Sequence, residues 1–129
     1  MNDFHAFVEE LFARFGPVRI KRMFGGAGLY AGEIMFGLID DDAIYLKTDE
    51  ALKAEFAAEG SVGWVYSRAP GRWEETSYWR LPEAALDDPE EAATWARKAL
   101  AVAEAKAASK RPKRKKALLS PERSDRGRG

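Results

Sequence analysis

A chain of 129 residues, 46% hydrophobic and 12% aromatic, suits one domain with its own core and is too short for a two-domain dehydrogenase or a protein kinase. The absence of cysteine excludes disulfides, cysteine nucleophiles and thiolate metal sites, and fits a cytoplasmic setting. No apolar run reaches membrane-span length, the acidic start "MNDFHAFVEE" lacks signal-peptide character, and the formal net charge of zero conceals a division.

Ten of the 21 Lys/Arg and only two of the 21 Asp/Glu fall in Lys106–Gly129, so that segment carries +8 and the preceding 105 residues carry −8. Such asymmetry points to a tail that meets something anionic, or to one that keeps the chain soluble.

In chain order, "DFHAFVEELFARFG" sets Phe4, Phe7, Val8, Leu11, Phe12 and Phe15 at helical spacing. This predicts an amphipathic helix capped at Asn2 or Asp3 and ended by Gly16-Pro17, with the stripe packed in the core. "VRIKRMF" then alternates apolar and polar residues, as a short strand or an extended lead-in. "GLYA", "EIMFGLID" and "AIYLKT" follow as three antiparallel strands, turning at "AG" and at the aspartates 40–42. Period two places Ile34, Phe36 and Leu38 on one face, and Ile44 with Leu46 on one face of the next strand. "TDEALKAEFAAEG" is a helix capped by Thr48, with Leu52 and Phe56 inward and Gly60 at its end. "VGWVYS" and "RWEETSYWRL" are two further strands, joined by a type II turn at Pro70-Gly71. On the second, Trp73, Glu75, Ser77, Trp79 and Leu81 share a face. "DDPEEAATWARKALAVAEAKAA" closes the fold as a helix, with Asp88 as cap, Pro89 in the first helical position and Glu91 completing a capping box. Trp95, Ala99 and Val102 form its stripe.

The expected class is therefore α+β in two layers, with an antiparallel sheet of about five strands in the order α-β(3)-α-β(2)-α. The domain spans residues 1–106. Residues 107–129 form a basic tail with little to bury, expected to be disordered.

Gly26-Ala27-Gly28-Leu29-Tyr30-Ala31 spells G-x-G-x-x-A, near the fingerprint of a dinucleotide-binding turn. That turn must open a helix whose N-terminal amides hold the phosphates, and here a strand follows. Structural roles fit better. Gly25, Gly26 and Gly28 permit unusual backbone angles or close approach, Gly32 supplies a hairpin turn, and Gly37 marks a bulge.

No group of residues converges as a catalytic or metal constellation. Asp40, Asp41 and Asp42 match no calcium loop and read as a solvated turn. His5, the only histidine, makes a poor metal site by itself and sits facing water or the edge of the stripe. "GSVG" at 60–63 lacks the helical setting of a nucleic-acid clamp. Trp64, Trp73, Trp79 and Trp95 could stack on bases, but the acidic body opposes a phosphate backbone. Burial between sheet and closing helix is the better reading. The strongest candidates for nucleic-acid contact are tail residues Lys110, Arg111, Lys113, Arg114, Lys115 and Lys116, six cations within seven residues.

"RMFGGAGLYAGEIMFGLIDDDAIYLKTDE", "FAAEGSVGWVY" and "SYWRLPEAALDDPEEAATWARKAL" together resemble the N-terminal domain of the TfoX/Sxy family of competence regulators. The resemblance runs from about Phe4 to Ala103. It marks Gly25, Gly26, Gly28, Tyr30, Gly32, Trp79 and Pro82 as structural motif residues. It implies a fold of the secretion-chaperone type. It also implies a non-enzymatic regulatory or protein-interaction module with no cofactor, a transcriptional coactivator of DNA-uptake genes working with the cyclic-AMP receptor protein. Longer members carry a second helical domain where this chain has its basic tail. A protein partner is expected, a homodimer is conceivable, and no membrane is involved. The alternatives are weak, sequence-independent DNA contact through the tail, or a small ligand-binding domain near the glycine-rich hairpin.

Overall fold

The computed structural model describes residues 3–23, 26–69 and 72–109, with the backbone alone over 66–69 and 72–75. Gly25, the Pro70-Gly71 turn and the six tail cations lie outside the described residues. The elements are α1 (Asp3–Leu11), β1 (Arg19–Met23), β2 (Gly26–Ala31), β3 (Ile34–Asp40), β4 (Ala43–Lys47), α2 (Glu50–Ala58), β5 (Gly63–Ala69), β6 (Arg72–Arg80), a 3-10 turn (Glu83–Ala85) and α3 (Pro89–Ser109). The strands form one open antiparallel sheet in the order β1-β2-β3-β4-β6-β5.

The class is α+β as expected, but the sheet has six strands and its order is α-β(4)-α-β(2)-α. The extra strand is the lead-in. It pairs with β2 from Arg19↔Tyr30 to Met23↔Gly26, where the ladder satisfies amides and carbonyls that an extended segment would leave to water.

The three helices lie on one face. Val8 and Leu11 of α1, Leu52 and Phe56 of α2, and Trp95, Ala96 and Ala99 of α3 share one buried cluster with Ala27, Leu29, Phe36, Ile39, Ile44 and Leu46 of the sheet. Small residues on the inner side of α3 let its backbone lie close over β3 and β4.

The first helix is shorter than its stripe. It ends at Leu11, and Phe12–Phe15 tighten into a turn in which the Phe15 and Gly16 amides both donate to the Phe12 carbonyl (3.0 Å each). That turn brings Phe12 and Phe15 onto Phe36, with ring centroids 6.1 and 5.1 Å away. Phe7 leaves the stripe and is 38% exposed.

Register also departs from simple alternation. Leu29 pairs with Gly37 but Tyr30 pairs with Met35, so Phe36 is an extra residue on β3. This bulge reverses the alternation. Ile34, Phe36 and then Ile39 face the helices, whereas Leu38, opposite Tyr45, faces the other way. The expected common face for Ile34, Phe36 and Leu38 is thereby corrected. Ile44 and Leu46 do share the core face.

One cap differs from the sequence reading, and a second is formed without its reciprocal half. Asp49, not Thr48, caps α2, its carboxylate accepting from the Leu52 amide at 2.8 Å. Thr48 is buried, and its hydroxyl and amide both donate to the Ser77 carbonyl (2.8 and 2.7 Å), tying the end of β4 to β6. Asp88 does cap α3, accepting from the Glu90 and Glu91 amides, with Pro89 first in the helix. The reciprocal half of the box is missing, because Glu91 accepts from the Trp95 indole at 3.2 Å while the Asp88 amide donates to Ala85.

Candidate functional site

The glycine-rich segment forms a ribbon, not a phosphate cradle. Gly26–Ala31 is hydrogen-bonded to β1 on one side and to β3 on the other, so its amides serve the ladders. A side chain at Gly26 would fall on the carbonyl oxygen of Ile39. At Gly28 it would meet the Met23 sulfur at 3.1 Å, the Tyr30 ring at 3.0 Å and the Met35 methyl at 3.4 Å. Gly28 is thus a floor over which three side chains close. Gly32 turns the β2–β3 hairpin with φ +62°. Asp41 and Asp42, both left-handed (φ 52° and 57°), turn the next one as a type I′ pair.

The aspartates 40–42 do not act together. Asp40 ends β3 and accepts from the Trp64 indole N–H at 3.0 Å, while Asp41 and Asp42 belong to the turn. His5 is half-buried and lines an open cleft of about 330 Å³ with Arg22, Met23, Gly26, Asp41 and Asp42. A second cleft, of about 300 Å³, lies between the end of α2 and the 3-10 turn, lined by Ser61, Val62, Arg80, Pro82 and Leu86 among others. Pro82 is buried there in an extended conformation (φ −55°, ψ 141°), directing the chain from β6 into the 3-10 turn.

The tryptophans divide. Trp95 is buried on α3, edge-on to Phe56 with centroids 4.7 Å apart. Trp79 pairs with Leu46 on the core face, and its indole N–H is buried with no partner among the described residues. Trp64 is on the opposite face, against Tyr45 at 6.3 Å, which corrects the expectation that it lies under the closing helix. The Trp73 and Glu75 side chains are outside the described residues.

The face turned away from the helices is the most distinctive surface. Register places Arg19, Lys21 and Met23 of β1, Tyr30 of β2, Met35 and Leu38 of β3, Tyr45 and Lys47 of β4, and Tyr78 and Arg80 of β6 on it. Cations pair with rings there: the Arg19 guanidinium lies 5.0 Å from the Tyr30 ring centre, and Lys47 Nζ 5.0 Å from that of Tyr78. Lys47 also donates to the Ser77 hydroxyl at 2.8 Å. Burial pushes the Tyr78 phenol above its ordinary range, and the charge that Tyr30 would carry adds to this.

Sequence reasoning singled out Tyr30 and weighed Trp64, but passed over Tyr45 and Tyr78. The signal was present in "AIYLK" and "SYWR": where Ile44, Leu46 and Trp79 point inward, Tyr45, Lys47, Tyr78 and Arg80 must point outward.

Comparison with curated proteins gives no significant match. The family profile described as the TfoX N-terminal domain matches residues 10–103, from within α1, through the whole sheet, to the last turns of α3. The match covers well over half of the chain and every strand, and on it the chain belongs to the TfoX N-terminal domain family.

Proposed function

We propose that this chain is a non-catalytic regulatory module that works by contact with other macromolecules, as a coactivator linked to transcription of DNA-uptake genes. The family match over residues 10–103 carries this reading. The open sheet supports it, because β1 and β5 are edges whose unpaired backbone groups can receive a partner strand. Exposed Met23 on β1 and Val65 on β5 add apolar area at the two edges. The partner is transcription machinery, and edge-to-edge pairing of two copies is the homodimeric form of the same contact.

The test is direct. The full chain is mixed with purified cyclic-AMP receptor protein and RNA polymerase, and a DNA-uptake promoter is transcribed with and without it. Complex formation and raised transcript are expected. Turnover of a small molecule, with neither complex nor transcript, would overturn the proposal.

A second reading rests on the tail, whose six cations between Lys110 and Lys116 attract any phosphate backbone. Duplex DNA titrated at two salt concentrations would then show steep salt dependence. Changing those cations to Gln would abolish it.

A further inference from the structure

We propose that the helix-free face of the sheet binds single-stranded nucleic acid, with bases on its rings and phosphates on its cations. The body's charge of −8 argues against any such site until the fold is known, because it averages two unlike layers. Residues 3–11, 49–59 and 83–109, which hold the helices, carry thirteen acidic and four basic residues. The six strands carry seven basic and three acidic residues. Among the residues whose side chains are described, Arg19, Lys21, Lys47 and Arg80 face away from the helices. The one carboxylate with them, Asp40, is engaged by the Trp64 indole. A polyanion approaching from the helix side meets repulsion, and one approaching the sheet meets attraction.

The rings decide which polyanion. Tyr30, Trp64, Tyr45 and Tyr78 stand on four different strands, each half-buried, over a floor that Gly28 keeps low enough for Met23, Tyr30 and Met35 to close on it. Cations already sit over two of these rings, so the apolar and the charged groups are interleaved, not segregated. Splayed bases of a single strand stack on such a platform while the backbone runs past the cations. A duplex keeps its base faces stacked inside and offers the rings nothing. An acidic polypeptide satisfies the cations but leaves the rings unused. This reading stands on charge and geometry, independently of the transcriptional role.

The experiment uses the full chain with Lys110, Arg111, Lys113, Arg114, Lys115 and Lys116 changed to Gln, which removes the tail's cation run, and follows fluorescence anisotropy of labelled oligothymidylate, duplex DNA of equal length and polyglutamate. The single strand is expected to bind about tenfold tighter than the duplex. Arg19→Glu with Lys21→Glu, both exposed on the edge strand, is expected to weaken binding at least tenfold and to flatten the salt slope by about 1 to 2, for the one or two phosphates released. Tyr30→Phe is expected to keep the affinity, and Tyr30→Leu to lose roughly five- to a hundredfold. Unchanged thermal melting shows that the variants fold, and the edge-strand pair tests the site even if Tyr30→Leu does not. No single-strand binding, binding indifferent to the Arg19/Lys21 pair, or equal competition by polyglutamate would each overturn the proposal.

Discussion

The tightest constraints sit on single residues. Gly37 faces the core opposite Leu46, and a methyl there would stand 2.7 Å from the Tyr45 carbonyl and 2.9 Å from a Leu46 methyl. Backbone cannot yield, so Gly37→Ala is expected to cost about 1–3 kcal/mol in urea unfolding. Gly28→Ala meets only the ends of flexible side chains and should cost under about 1 kcal/mol. Trp79 is the opposite case. Its indole N–H is buried with no partner among the described residues, a penalty of about 1–3 kcal/mol that phenylalanine removes. Trp79→Phe is therefore expected to stay within about 1 kcal/mol of the parent, where Trp79→Ala loses about 3–5 kcal/mol. The Tyr78 phenol is raised above the ordinary tyrosine value of 10.0 by burial first and Tyr30 second. The folded state thus holds this proton longer than the unfolded chain. Its contribution to stability is complete below about pH 10 and is lost as pH rises towards the folded-state value. Chemical denaturation at stepped alkaline pH should show that decline, and Tyr78→Phe should lessen it. None of the three features is visible in the sequence, which offers Gly37 as a bulge residue and Trp79 as a motif residue but shows neither the backbone that faces Gly37 nor the burial of the Trp79 indole N–H and the Tyr78 phenol.

Elements were more legible than their ends. Hydrophobic period located α1, α2, α3 and the five recognised strands because burial of one face is a local pattern repeated over several residues. The ends follow from interactions the pattern does not contain. Thr48 and Asp49 are both good caps by type, and the choice falls on Asp49 because the Thr48 hydroxyl is drawn to the Ser77 carbonyl, far away in sequence. Asp49→Ala is expected to cost about 1 kcal/mol, through α2. Thr48→Val is expected to cost about 1–2 kcal/mol through the β4–β6 tie, leaving the Ser77 carbonyl one donor short. Hydrogen exchange separates the two, with protection lost first in α2 or first along β4–β6. The α2 terminus, by contrast, could be read in advance. Gly60, at φ +83°, donates to Ala57 while the Ser61 amide donates to Phe56, the pair of bonds that a glycine after a helix commonly makes. Gly37 signalled the β3 bulge, but alternation assumes one residue per step, and only the pairing of Leu29 and Tyr30 shows that Phe36 is the extra residue and that Leu38 changes face.

At the scale of the molecule, one cluster joins three helices to the core face of the sheet, so the fold should unfold as a unit. Far-ultraviolet circular dichroism and tryptophan fluorescence are expected to give coincident urea midpoints, since Trp64, Trp79 and Trp95 report from both sides of the sheet and from α3. Two separated transitions would show that the outer face melts independently. Periodicity and capping chemistry by themselves determined the α+β class, the order of the helices and of five strands, and the strand status of the glycine ribbon, while the quoted motifs carried the family resemblance. All of these depend on residues near one another in the chain. The sixth strand, the parity of β3, the division of the tryptophans and the separation of an acidic helical layer from a cationic, aromatic sheet face were decided only in three dimensions. Each depends on which distant residues the sheet order and register bring side by side, and a sum of charges along the chain cannot show which side of a sheet they occupy.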